Sequence, residues 1–87
     1  MNYLLAARNF LFGIPKRDLD MKIKELPLSE HTQNRLVWAL ELAEVETVGQ
    51  LLEKTESYLL RFPNVGRKFV NELKRALAVR GLRLKKE

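Results

Sequence analysis

The chain has no cysteine and a single histidine, and each scarcity removes a class of chemistry. Without cysteine there is no disulfide framework to staple a small core, and no thiolate for zinc or nucleophilic attack. The same absence fits a reducing compartment. His31 has no second histidine at HExxH spacing, and no serine sits in a GxSxG elbow. The carboxylates are scattered along the sequence as ordinary solvated surface rather than gathered as a cation site. Neither enzymatic activity, nor a metal, nor a cofactor is expected.

Long hydrophobic runs are missing too. The longest apolar stretches, residues 3–7 and 10–14, are separated by Arg8 and Asn9, whereas a membrane span needs about 20 residues. Residues 1–14 also lack the basic start and small-residue cleavage site of a secretory signal. Their mild amphipathicity leaves an organelle-targeting segment, a packing helix or a dimerising helix open, the last implying a homodimer through residues 3–12. Strand-like alternation is confined to a hint at residues 21–28, which Pro27 interrupts.

What is present is a soluble globular composition, 46% apolar and 31% charged over 87 residues, the size of one small domain. The net charge of +5 is unevenly divided. Residues 1–24 hold five basic and two acidic side chains, residues 25–60 two and seven, and residues 61–87 nine and two. Positive potential is therefore concentrated in the last third, where a polyanion would be drawn. A solvated helix face ending in the basic tail "RLKK" explains the same charge.

Nearly everything reads as helix. Residues 3–12 read as a first helix closed by Gly13 and Pro15. "PKRDLDMKIKELPL" reads as an extended connector whose Leu19, Ile23, Leu26 and Leu28 tuck against the core. Ser29 caps a helix over residues 30–43, with Leu36, Leu40 and Ala43 inward and Trp38 and Leu42 widening that face. Trp38 is accordingly expected in the core rather than as a platform for stacked bases. Thr47 and Gln50 make a capping-box pattern, Thr55 caps a helix over residues 56–61, and residues 67–80 form the longest helix, stopped by Gly81. Val70, Leu73 and Leu77, with Phe69 and Ala76, face inward.

The stretch "PNVGRKFVNELKRAL", residues 63–77, carries the sharpest signal. Gly66 permits a positive backbone angle or a close approach, directly before a helix whose first N–H groups lack internal partners. A phosphate satisfies such groups well. Arg67 and Lys68 stand in the first turn, where the helix dipole disfavours cations. An anionic ligand explains them better than helix stability does, although plain helical hairpins also use "PxxG".

From Ile23 to Leu84 these residues resemble the C-terminal domain of the bacterial RNA polymerase alpha subunit. "TVGQLLEKTESYLLRFPNVGRKFVNELKRALAVRGLRL" is similar to its second half almost without a gap, and "IKELPLSEHTQNRL" to its opening. The resemblance implies an all-α fold, a compact bundle of four to five short helices with a helix–hairpin–helix, SAM-like. It implies a bacterial, cytoplasmic, nucleoid-associated protein that binds the minor groove and phosphate backbone of A·T-rich DNA. Its further implied partners are RNA polymerase, sigma factor or a transcription activator. The domain would span residues 23–84, after an N-terminal helix and connector (1–22) and before a basic tail (85–87).

Transferred residue by residue, the family's DNA contacts fall on Asn64, Gly66, Arg67, Lys68 and Glu72, and in the opening helix on Asn34. The family's minor-groove arginine falls on His31, and a serine after its lysines becomes Phe69. This register needs about four extra residues, roughly one helical turn, between Leu36 and Gly49. An ungapped register instead puts Arg35 on the arginine and Trp38 on the asparagine. Arg35 thus offers a cation one turn later, and a mostly neutral imidazole would lose much of the attraction a narrow minor groove exerts. An alpha subunit also carries a large assembly domain, where this sequence has 22 residues before Ile23. It reads as a free-standing relative if complete and as an excised domain otherwise.

The leading expectation is a DNA-binding module of the transcription apparatus. The amides after Gly66, with Arg67 and Lys68, would hold phosphates while His31, Asn34 and Arg35 approach the groove. The rival is a protein-interaction module of the same fold that docks through the acidic stretch 41–56 and the apolar N-terminal helix.

Overall fold

Pro15, with a φ of −56° and a ψ of 141°, is the N-cap of a short helix, where its missing N–H costs no bond. The N–H groups of Asp18 and Leu19 donate to the Pro15 carbonyl at 3.0 and 3.2 Å. Lys16 pairs with Asp20 one turn on, at 3.0 Å. The result is helix α1, Lys16–Asp20, in a computed structural model that describes residues 13–87. The helix expected over residues 3–12 lies outside the described residues.

The connector expected to be extended is therefore partly helical, and the reason is tertiary. Leu19 packs on the core and lies against Gly49, where a Cβ would stand 3.0 Å from the Leu19 carbonyl oxygen. Asp18, its side chain 14% exposed, reaches Arg80 at 3.3 Å. A 3-10 turn, Ile23–Glu25, follows and buries Ile23. Leu26 is buried and Leu28 partly so, as the spacing predicts.

Ser29 caps the next helix by accepting from the Thr32 N–H at 3.4 Å. Glu30–Thr32 begins as α-helix, Gln33–Val37 is wound as π-helix, and Trp38–Leu42 returns to α-helix. The three run on without a break as α2, residues 30–42. A π turn closes on the fifth residue and so absorbs an extra one. The helix stops where Glu44 takes a φ of 64° and the Val45 N–H donates back to Leu40 at 2.8 Å.

Leu36 and Leu40 are fully buried, as expected, but Ala43 is exposed, and Trp38 and Leu42 are 60% and 67% exposed. Ala43 follows the last helical residue as the C-cap, φ −89°, and the helical period explains the other two. At about 100° per residue, Trp38 lies roughly 200° and Leu42 roughly 240° round from Leu36, away from the core.

Helix α3, Val48–Leu51, starts with the full capping box: Gln50 N–H to the Thr47 hydroxyl at 3.2 Å and Thr47 N–H to the Gln50 side-chain oxygen at 3.1 Å. Helix α4, Glu56–Leu60, starts with the Thr55 hydroxyl accepting from Tyr58 N–H at 3.1 Å. Helix α5, Arg67–Val79, buries Val70, Leu73, Ala76 and Leu77, and leaves Phe69 partly buried. It ends at Gly81, φ 77°, after which Leu82 and Leu84 are buried and the Lys85 N–H donates to Lys54 at 3.0 Å.

The fold is all-α: the described residues form five helices around one core, to which α2, α3, α4 and α5 contribute leucines and valines. Among the described residues there is no strand, only isolated bridges between Lys22 and Thr47 and between Thr55 and Lys85. Nor is any helix among them long and apolar enough to cross a membrane.

Candidate nucleic-acid interface

Helices α4 and α5 are joined by "RFPNVG", and this turn differs from its expected geometry. The positive backbone angle falls on Asn64, φ 64°, not on Gly66, which is extended at φ −108° and ψ −175°. Asparagine is among the few residues that tolerate the left-handed region, and here it frees the glycine of that task. The turn is anchored by Val65, which is buried and donates to the Phe62 carbonyl at 3.2 Å.

Gly66 contributes openness instead. It is the N-cap of α5, the helix has no side-chain cap there, and a Cβ would meet nothing within 4 Å. The Gly66 carbonyl accepts from Phe69 and Val70 at 3.1 and 3.2 Å, so the ladder begins there. The preceding N–H groups at the start of α5 lie outside that ladder and carry the positive end of its dipole.

The two first-turn cations are not equivalent. Arg67 reaches back to Glu56 at 3.1 Å, and Glu56 also holds Lys74 at 3.0 Å. Arg67 therefore has an internal partner that offsets its unfavourable place on the dipole. Lys68 is exposed and enters no ion pair among the described residues. The expectation that both cations await an external anion thus falls mainly on Lys68.

On α2, His31, Asn34 and Arg35 are all exposed and share one stripe at i, i+3 and i+4, which Trp38 and Leu42 continue. Asn34 and Arg35 line a groove of about 510 Å³ with Trp38 and, from the turn, Phe62 and Asn64. The fold thus brings Asn34, Arg35 and Asn64 to one groove, with His31 a turn earlier on α2 and Gly66, Arg67 and Lys68 just beyond Asn64. No carboxylate lines it. A larger groove of about 590 Å³ runs between α5 and the C-terminal tail, but Glu56 and Glu87 stand in it among the cations. Carboxylates there compete with an anionic ligand, which makes the smaller groove the better candidate. Sequence reasoning weighed Trp38 and placed it in the core, although its i+4 spacing from Asn34 and i+3 spacing from Arg35 carried the signal for this surface.

Glu72 occupies a different position from the other site residues. Its carboxylate accepts from the backbone N–H of Ser29, from the Ser29 hydroxyl at 3.0 Å, and from the Thr32 hydroxyl. Thr32 is fully buried, and this contact satisfies its hydroxyl. The Thr32 hydroxyl first, and then the Ser29 N–H, hold the Glu72 carboxyl below its ordinary value of 4.5, against a partial desolvation that raises it. An anion at the start of α2 also complements that helix's dipole. Glu72 thereby fastens the second turn of α5 to the first turn of α2, and so fixes the α2 stripe beside the turn. The family model for the C-terminal domain of the bacterial RNA polymerase alpha subunit matches residues 15–79, and the protein belongs to that family.

Proposed function

We propose, from this membership and from the shared groove, that the protein is a DNA-binding module of the transcription apparatus that grips A·T-rich duplex. The single observation that carries the reading is the meeting of Asn34 and Arg35 on α2 with Asn64 in a groove free of carboxylates. The open amides at the start of α5 and the ammonium of Lys68, which enters no ion pair among the described residues, supply the phosphate grip. His31, Asn34 and Arg35 approach the minor groove, where negative potential is focused over A·T-rich sequence. Arg67 joins the grip by exchanging Glu56 for a phosphate, at the cost of an exposed ion pair worth little in water. Glu72 acts through position, by holding α2 and α5 in register.

Binding of an A·T-rich duplex, followed across salt concentrations, tests the reading. Affinity falls steeply, with a log–log slope of about −0.9 per phosphate neutralised. A salt-independent affinity would contradict it.

The exposed carboxylates of Glu41, Glu44 and Glu46 around the end of α2 favour a second reading, docking on polymerase, sigma factor or a regulator. On that reading the double variant Arg67→Ala, Lys68→Ala changes little, while deletion of residues 1–14 abolishes polymerase binding or dimerisation.

A further inference from the structure

The groove of about 590 Å³ between α5 and the C-terminal tail takes no part in the DNA contact proposed above. Arg75, Arg83, Lys85 and Lys86 line it, all exposed, and none enters an ion pair among the described residues. Its two carboxylates are already engaged. Glu56 holds Arg67 and Lys74, and Glu87 accepts from the Ser57 N–H at 3.0 Å. The rest of the lining is mainly apolar, from Ala78, Leu82 and Leu84. A duplex would press a continuous row of phosphates on those carboxylates, whereas a protein segment sets its charges at separate points.

The chain itself presents a segment of the opposite character at the end of α2. Glu41 and Glu44 are exposed there and enter no ion pair among the described residues. Leu42, between them, is 67% exposed. The helix dipole disfavours anions at this end, and the last turn holds no basic residue. Glu44 also occupies the left-handed position, φ 64°, that follows a helix end and favours glycine. Helix stability thus explains neither carboxylate, and an external cation explains both. The sequence divides its charge the same way: residues 25–60 hold two basic and seven acidic side chains, residues 61–87 nine and two.

We propose that the groove receives the end of α2 from a second copy of the chain, with Leu42 against the apolar lining and Glu41 and Glu44 on the tail cations. The groove and the α2 end share no residue, so the contact is head-to-tail, and each copy offers one surface of each kind. The proposal stands apart from the DNA-binding reading, because neither surface includes Asn64, Gly66 or Lys68.

Sedimentation velocity of the whole chain without DNA, at low salt, tests it from about 10 µM to about 1 mM, where a small interface dissociates. The weight-average mass rises with concentration and returns toward the monomer as salt screens the charges. Two variants remove one surface each: Glu41→Gln with Leu42→Ala and Glu44→Gln at the end of α2, and Arg83→Ala with Lys86→Ala in the tail. Each weakens self-association at least about tenfold. Mixed together they form pairs that grow no further, since one intact α2 end meets one intact groove. All five substituted side chains are exposed, and melting curves verify that both variants fold. A wild-type protein that stays monomeric throughout overturns the proposal. So does self-association that survives in either variant, which would place it elsewhere, residues 1–12 included. A mixture that stays monomeric after each variant has lost association overturns it as well, since no complementary pairing is then restored.

Discussion

Glu72 and Ser29, 43 positions apart in the sequence, are joined through both the backbone N–H and the hydroxyl of the serine. This link, extended by the Thr32 hydroxyl, sets α2 against α5 and gives the candidate interface its shape. It is also the feature of the site with a pH signature. The folded carboxyl is held below its ordinary value of 4.5, so the unfolded state binds more protons in the interval between the two values. The resulting stability is complete above about pH 4.5 and is lost as the pH falls through the lowered folded value. Thermal melts followed by circular dichroism should show the wild-type midpoint falling more between pH 5 and pH 3 than that of Glu72→Gln. At neutral pH Glu72→Gln melts lower, because the amide cannot accept from all three donors as the carboxylate does.

Asn64 and Gly66 divide between them two tasks that a single glycine could have performed. Asn64 carries the positive φ of 64°, so Asn64→Ala forces an alanine into the left-handed region, at a cost of about 1–2 kcal/mol. Asn64→Gly keeps the fold and loses only the side-chain amide at the groove. Gly66 is extended with open space around it, so Gly66→Ala changes stability by no more than about 0.5 kcal/mol. The added methyl nevertheless takes up part of the open space beside the N-cap of α5, where a phosphate would approach, and weakens DNA binding. Urea unfolding beside duplex titration of the three variants separates the two roles.

Lys68 and Arg67 differ in their dependence on salt. Lys68→Ala removes an ammonium with no ion-pair partner among the described residues and should reduce the slope of log affinity against log salt by about 0.9. Arg67→Ala should reduce it by less, because Glu56 already holds that guanidinium at 3.1 Å. Glu56→Gln frees Arg67 and steepens the slope.

His31 lies on the same exposed stripe as Asn34 and Arg35, a turn nearer the start of α2. His31→Arg adds a permanent cation there and should tighten A·T-rich duplex binding, with a salt slope steeper by about 0.9. Fluorescence anisotropy at several salt concentrations measures both.

Much of the fold was legible because its punctuation is local. Ser29, Thr47 with Gln50, Thr55 and Gly81 mark helix ends through bonds spanning a few residues, and each does so in the structure. The leucine spacing of α2 and α5 likewise identified the buried stripes. What was not legible depends on contacts between residues distant in sequence. Helix α1 has five residues, too few to show a period, and is held by Leu19 against Gly49 and by Asp18 on Arg80. The positive angle falls on Asn64 and not on Gly66, and since either residue fits a turn, no local pattern distinguishes them. Trp38 was assigned inward by hydrophobicity, although its angular position on α2 places it with Asn34 and Arg35. Glu72 was expected at the DNA, and its bonds to Ser29 and Thr32 join residues that no local pattern connects.

The central claim is that one surface, formed by the turn before α5 and the outer stripe of α2, holds A·T-rich DNA. Amide shift mapping by NMR, with the duplex added at low salt, addresses it most directly. Shifts concentrated at Asn64–Lys68 and His31–Arg35, fading as salt is raised, are the predicted result. Shifts absent from both segments at low salt, or confined to the C-terminal tail, would contradict it.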